Sequence, residues 1–252
     1  MNMIFPRDMR ALQMVESGIL SVFDVVIVIN LDSRTDRLAE MGEQLRKAGL
    51  TFDDDRVIRL SASRPDDRGE FRTIGARGCF ESHMHALNLA LQRKARSVLI
   101  LEDDCDFRGN VSDVMQCLRS NPWNVFSGGY SARTGEPPVR DLHLPVAAVQ
   151  PETGLVSAHC LGFRGAAIRH ARDYLKVLQS RKAGDPMGGP MDVDAAYNWF
   201  RNEYRYTTLV SDPMIAVQRS SRSDITVAHW FDRVPVLRTL AEFGRKLKRS
   251  LR

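Results

Sequence analysis

The chain has 252 residues and a mass of 28.5 kDa, with 43% hydrophobic and 27% charged side chains, which excludes a peptide or a disordered chain and predicts one domain with its own core. Its net charge of +5 is concentrated at one end: residues 233–252 hold seven basic and one acidic side chain, whereas residues 1–232 hold 29 basic and 30 acidic ones. A nucleic-acid-binding domain carries positive charge across its folded surface, so the neutral body argues against that partner.

From Phe23 to Leu31 the run FDVVIVINL is too short for a lone helix and dense in β-branched residues, which predicts a strand buried on both faces. Ser33 and Asp36 have the spacing of a capping box. Leu38, Met41, Leu45 and Ala48 then recur at helical intervals before Gly49. A strand is expected at 56–61, then a glycine-punctuated loop, a helix over 80–94 with Met84, Leu87 and Leu91 on one face, and the strand SVLILE at 97–102. This β-α-β-α-β order predicts an α/β domain with a mainly parallel central sheet flanked by helices, its ligands at the carboxyl ends of the strands.

Further strands are expected at 124–127 and 155–163. Ile168, Ala171, Leu175 and Leu178 mark a helix ending near Gln179. Residues 181–190, RKAGDPMGGP, read as a mobile loop able to cover a site, and residues 131–145 as a polar, turn-rich stretch. In the tail, Val236, Leu240, Phe243, Leu247 and Leu251 align on one side of a basic amphipathic helix. Such a helix can lie on an anionic membrane surface or pack back on the domain. The expected division is therefore 1–232 as the folded domain and 233–252 as the tail.

Cys79, Cys105, Cys117 and Cys160 form no CxxC pair and read as reduced, buried thiols of a cytosolic protein. No apolar run approaches the ~20 residues of a membrane span, and MNMIFPRDMR lacks the apolar core of a signal peptide, so a cytoplasmic location is expected.

The sharpest chemical feature is Glu102-Asp103-Asp104-Cys105-Asp106, which follows the buried VLIL segment and so emerges at the sheet's carboxyl edge. Four carboxylates in five positions repel one another, and either a hard cation such as Mg²⁺ or Mn²⁺ or the solvent must take up their charge. Arg34 and Arg37 open the first helix, where N-terminal amides can meet a phosphate; for Arg37 a surface pair with Asp36 or Glu40 is the alternative. Asp32 and Thr35 fit part of a phosphatase DxDxT loop, but Arg34 stands where its second aspartate is needed. No G-x-S-x-G elbow supports a serine hydrolase.

The segments VINLDSRTDR (28–37), GCFESH (78–83), LILEDD (99–104), MDVD (191–194) and DPMIAVQRSSRSDI (212–225), in that order, resemble glycosyltransferase family 25. That family includes bacterial lipooligosaccharide galactosyltransferases and the collagen galactosyltransferase domain. The resemblance implies a GT-A-like domain that uses a nucleotide sugar and an acidic DxD-like motif with Mn²⁺ or Mg²⁺. By that resemblance Asp104 is the metal ligand, with Glu102 and Asp103 meeting the ion through water or the donor ribose. Asp106, outside the family pattern, is a further candidate ligand. Asn30, Arg34, Arg37, Ser82 and His83 fall on the donor side. Asp192, and after it Asp194, become the general base that deprotonates the acceptor hydroxyl, although two carboxylates in a first helical turn also suit the helix dipole.

Gln218, Ser223 and Asp224 fall in the last matching segment as acceptor-binding residues, or as turn formers. His229 is a further candidate for the metal. The implied reaction moves a hexose, galactose from UDP-galactose, onto a lipid-linked lipopolysaccharide or lipooligosaccharide acceptor with inversion, on the cytoplasmic face of the inner membrane. Two rival readings use the same residues: a metal-dependent phosphohydrolase, and a non-catalytic carbohydrate- or membrane-binding adaptor.

Overall fold

A computed structural model describes residues 18–132 and 145–219. Strands and helices run β1 (Val25–Asn30), α1 (Thr35–Lys47), β2 (Val57–Ser61), α2 (Ile74–Gln92), β3 (Ser97–Glu102), β4 (Cys105–Phe107), α3 (Val111–Ser120), β5 (Val125–Ser127), β6 (Ser131–Ala132), β7 (Val146–Val149), β8 (Leu155–Val156), β9 (Cys160–Arg164), α4 (Ala166–Ser180), α5 (Val193–Tyr204), β10 (Thr208–Ser211) and β11 (Ala216–Gln218). A seven-stranded sheet has the order β2-β1-β3-β9-β5-β10-β7. β9 and β7 run against the other five strands. The mainly parallel sheet expected from the sequence is present, and its parallel start is the predicted β-α-β-α-β unit.

β1 is buried along its whole length because both faces are covered. Val25, Ile27 and Ile29 pack with α2, α4 and α5, while Val26 and Val28 pack with Met41 and Leu45 of α1 and Val114 and Leu118 of α3. A strand with period-2 side chains and helices on both sides must be apolar at every position. No helix among the described residues is long and apolar enough to cross a membrane.

The first helix starts later than its capping box suggests. Arg34, not Ser33, occupies its N-cap and makes no side-chain cap. Gly49 ends it with φ +73°, a left-handed conformation that glycine adopts without strain. The second helix starts earlier than predicted, at Ile74, because Thr73 caps it by accepting a hydrogen bond from the Ala76 amide. Gly75 and Gly78 therefore lie inside a helix, and Ser82 and His83 sit in its third turn. A Cβ at Gly78 would stand 2.6 Å from the Ser63 carbonyl oxygen, so this glycine lets α2 press against the chain leaving β2. The strand expected at 155–163 divides at Ser157, whose φ is +93°.

Candidate active site

The carboxyl ends of β2, β1 and β3 lie side by side, with Asn30 opposite Ser61 and Ile29 opposite Glu102. α2 covers this edge. Together they enclose a cavity of about 390 Å³, lined from β1 and the turn after it by Ile29, Leu31, Ser33 and Arg34, from α1 by Arg37, from the β2 exit by 62–65, from α2 by Ile74, Gly75, Gly78, Cys79, Ser82 and His83, and from the end of β3 and the turn after it by Glu102, Asp103 and Asp104. Gln218 completes the wall. It reaches the site because β11 pairs antiparallel with β4, setting Gln218 opposite Cys105, and because the Arg219 amide donates to the Asp104 carbonyl at 2.7 Å.

The three carboxylates after VLIL have separate environments. Asp103 is buried, and both its oxygens are engaged: Asn30 Nδ2 donates to one at 2.8 Å and Arg37 donates to the other at 2.8 Å. Asn30 is itself oriented by Arg59, which donates to its amide oxygen at 3.1 Å. Arg37 is thus no surface arginine; it is buried beneath the acidic turn, which also explains a charged residue on the inner face of α1.

Asp104 is buried too, and its Oδ2 meets Gln218 Nε2 at 3.4 Å and Arg37 at 3.5 Å. Its Oδ1 is buried and has no hydrogen-bond partner among the described residues. Burial first, and the Glu102 charge second, push the Asp104 carboxyl up to about 7, against the pull of Arg37. Glu102 goes the other way. Burial acts to raise it, but the His83 hydrogen bond and charge outweigh that and hold it below its ordinary value. Glu102 therefore carries the negative charge more readily than Asp104.

Glu102 Oε1 lies 3.2 Å from His83 Nε2, and His83 Nδ1 lies 3.3 Å from the Tyr197 hydroxyl. Cys79 Sγ is 3.8 Å from the same Glu102 oxygen. Behind them, His159 is buried, and its carbonyl accepts from the Glu102 amide at 3.0 Å. Burial depresses its imidazole pKa, with the Glu102 charge opposing. Ser82 Oγ donates to the Gly78 carbonyl at 2.6 Å and accepts from the Ser63 amide at 2.8 Å. It braces the cavity wall by closing the β2 exit onto α2.

Other predicted residues lie elsewhere. Asp106 does not line the cavity; it pairs with the buried guanidinium of Arg219, which also meets Glu40. Asp32 takes hydrogen bonds from Ser61 and Arg59 and is likewise off the cavity wall. Asp192 is the N-cap residue of α5 without a side-chain cap, half exposed, and paired with Arg72 at 3.3 Å. Asp194 accepts from the Ser157 amide at 3.1 Å and the Ala195 amide at 2.7 Å, so it ties α5 to the chain before β9. Neither lines the cavity. Residues 181–190 fold on themselves: Arg181 donates to the Met187 and Gly188 carbonyls, and Glu70 accepts from the Ala183 amide. None of them lines the cavity. Ser223, Asp224, His229 and the tail 233–252 lie outside the described residues.

Sequence reasoning missed Cys79 and Ser63 as wall residues, and His159 and Tyr197 behind the wall. A signal existed only for the first: Cys79 and His83 are four apart, which puts both on one helical face.

No family profile and no curated protein matches the chain. Among solved structures it is similar to a glycosyltransferase involved in glycosylation of the major capsid of PBCV-1, at 12% identity and a TM-score of 0.44, over 75% of this chain and 81% of that one. It is also similar to A197 from STIV, at 11% identity and a TM-score of 0.40, over 82% and 98%. A third is mannose-1-phosphate geranyltransferase from Thermus thermophilus, at 12% and 0.35, over 74% and 72%. Likenesses at this level assign neither a fold family nor an activity, and the functional reading rests on the cavity itself.

Proposed function

We propose that the chain is a nucleotide-sugar-dependent glycosyltransferase of the GT-A, family 25 type, moving galactose from UDP-galactose to a lipid-linked lipopolysaccharide or lipooligosaccharide acceptor with inversion. The observation that carries this reading is Asp104: an acidic side chain at the carboxyl end of a parallel strand, buried on a cavity wall, with one oxygen that has no hydrogen bond among the described residues. Such an oxygen suits a hard divalent ion, Mn²⁺ or Mg²⁺, and Asp104 with Glu102 would hold it. When bound, that ion neutralises charge on the departing nucleoside diphosphate.

The chain's own groups divide the remaining work. Arg34 and Arg37 stand on the same wall and favour a diphosphate there. Asn30 and Arg37 fix the acidic turn by gripping Asp103, which makes Asp103 a positioning residue. Gln218 orients Asp104 from the other side. Asp192, exposed and next to Arg72, which lies two residues before the cavity-lining Ile74, is the base that takes the proton of an acceptor hydroxyl arriving from solvent. Asp194 is occupied by amide hydrogen bonds and serves structure. The basic tail would bring the domain to an anionic surface carrying the acceptor.

The test is to incubate the full chain with a panel of UDP-sugars and Mn²⁺ and to follow UDP release with and without glycan acceptors. Acceptor-dependent UDP release that Asp104→Asn abolishes is expected. Release of inorganic phosphate without sugar transfer would replace this reading with the phosphohydrolase, and full biological activity in Asp104→Asn would replace it with the adaptor.

A further inference from the structure

One cluster on the cavity wall differs chemically from the acidic turn. Cys79 Sγ, His83 Nε2 and Glu102 Oε1 all lie within 4.8 Å of one another. Around Glu102 Oε1 the separations are 3.2 Å to the imidazole nitrogen and 3.8 Å to the sulfur. Zinc bonds to nitrogen and oxygen are about 2.0 Å and to sulfur about 2.3 Å, so a tetrahedral ion needs N to O near ~3.3 Å and S to O near ~3.5 Å. The N to O spacing already present matches that of a zinc site, and the S to O spacing is about 0.3 Å longer than one. In the metal-free site one carboxylate oxygen gathers the other two donors, with His83 at 3.2 Å and the Cys79 thiol donating at 3.8 Å, so the three groups an ion would take are already turned toward one point.

The supports are rigid. Cys79 and His83 are one helical turn apart on α2, and Glu102 ends β3. His83 is fully buried, and its second nitrogen meets the Tyr197 hydroxyl at 3.3 Å. In the metal-free site Nε2–H donates to the Glu102 carboxylate; with Nδ1–H held by the Tyr197 hydroxyl, loss of the Nε2 proton turns a lone pair toward the cluster, the arrangement metal-bound histidines need from their outer partners. All three residues line the cavity, so a fourth ligand position opens toward it.

We infer that Cys79, His83 and Glu102 form a second divalent-cation site, selective for a borderline-soft ion of the zinc class, which shares Glu102 with the hard-ion position proposed at Asp104 and takes its other two donors from α2. Binding moves two protons to solvent, one from the Cys79 thiol and one from His83 Nε2, as the thiolate and the neutral imidazole bond the ion. Water or a substrate oxygen takes the fourth position. The donor sets separate the two sites, since sulfur and imidazole select zinc and cobalt, while a carboxylate-only position suits Mn²⁺ or Mg²⁺.

The experiment titrates reduced, metal-free full-length protein with Co²⁺ and reads the thiolate-to-cobalt charge-transfer band, then displaces cobalt with Zn²⁺. The inference expects one band that saturates at one equivalent, disappears in Cys79→Ser, and needs at least ~10–100-fold more cobalt in His83→Ala. Asp104→Asn should leave the band intact while abolishing Mn²⁺-dependent binding of UDP-sugar, so failure of either site is read separately. Absence of the band in the wild-type chain overturns the inference, as does a band unchanged in Cys79→Ser. Where Cys79→Ser fails to fold by circular dichroism, alkylation of Cys79 in the wild-type chain decides. Zinc should slow it at least tenfold, and an unchanged rate overturns the proposal.

Discussion

Two acid-x-acid pairs, Glu102/Asp104 after β3 and Asp192/Asp194 at the start of α5, have similar sequence and opposite physical settings. The first ends a parallel strand inside the sheet, where burial raises Asp104 to about 7 and one of its oxygens has no partner among the described residues. The second begins a helix. There, Asp194 is satisfied by two amides and Asp192 faces solvent beside Arg72. Carboxylates become reactive or metal-seeking where the fold denies them water and partners, and on the proposed function ion binding falls to the first pair and proton transfer to Asp192 of the second.

The largest expected effect tests that division in activity. Asp104→Asn keeps size and the Gln218 contact but removes the charge, and should lower metal-dependent UDP release by about 10²–10³-fold, the usual loss when one group that stabilises developing charge is removed. Asp194→Asn should stay within about threefold of wild type. A reversed ranking in initial-rate measurements would break the comparison.

Next in size is the support beneath the acidic turn. Arg37→Met leaves the buried Asp103 carboxylate with Asn30 as its remaining donor and strips Asp104 of its nearest cation. Breaking a buried pair from one side costs about 3–5 kcal/mol, so urea unfolding should show a loss of that order. A loss below about 1 kcal/mol would mean that water reaches the pair and that it behaves as a surface contact.

How much of this is legible in the sequence depends on range. VVIVIN and SVLILE are apolar at almost every position, which two-sided burial explains, and both strands fall where the pattern puts them. The placement of Glu102 to Asp104 at the sheet edge follows directly. The start of α2 is harder to read because Gly75 and Gly78 weaken the helical pattern; what makes Gly78 necessary is the close approach of Ser63, a contact between residues fifteen apart. Arg37 reads as a surface residue because its partner is 66 positions away. The fate of Asp106 likewise depends on Arg219, brought in by the β4 to β11 pairing. Periodicity reports local burial, and long-range ion pairs leave no trace in it.

A pH series sharpens the contrast further. Asp104 is raised in the fold to about 7 from an ordinary value of 3.8, so the folded state binds its proton more tightly than the unfolded state between those values. The sign is then fixed: stability falls as pH rises from about 4 to 7 and is flat above, with a span on the order of 2–4 kcal/mol. In metal-free buffer, Asp104→Asn should remove that slope and be more stable than wild type at pH 8 but not at pH 4. Parallel melting curves for the two proteins would contradict the assignment of the proton to Asp104.

The smallest effects separate the two members of the α5 pair. Asp194→Ala removes the acceptor for the Ser157 amide, which lies where the chain turns with φ +93°, and should cost about 1–2 kcal/mol, the cost of a lost helix cap or an unpaired amide. Asp192→Ala removes only an exposed ion pair and should change stability by less than about 0.5 kcal/mol. If Asp192 is the base, the same variant lowers the transfer rate by about 10²-fold or more while leaving the melting temperature in place. A rate loss in Asp192→Ala that tracks its stability loss would remove Asp192 from the reaction, and Glu102 would then be the ionised carboxylate on the cavity wall left to test as the base.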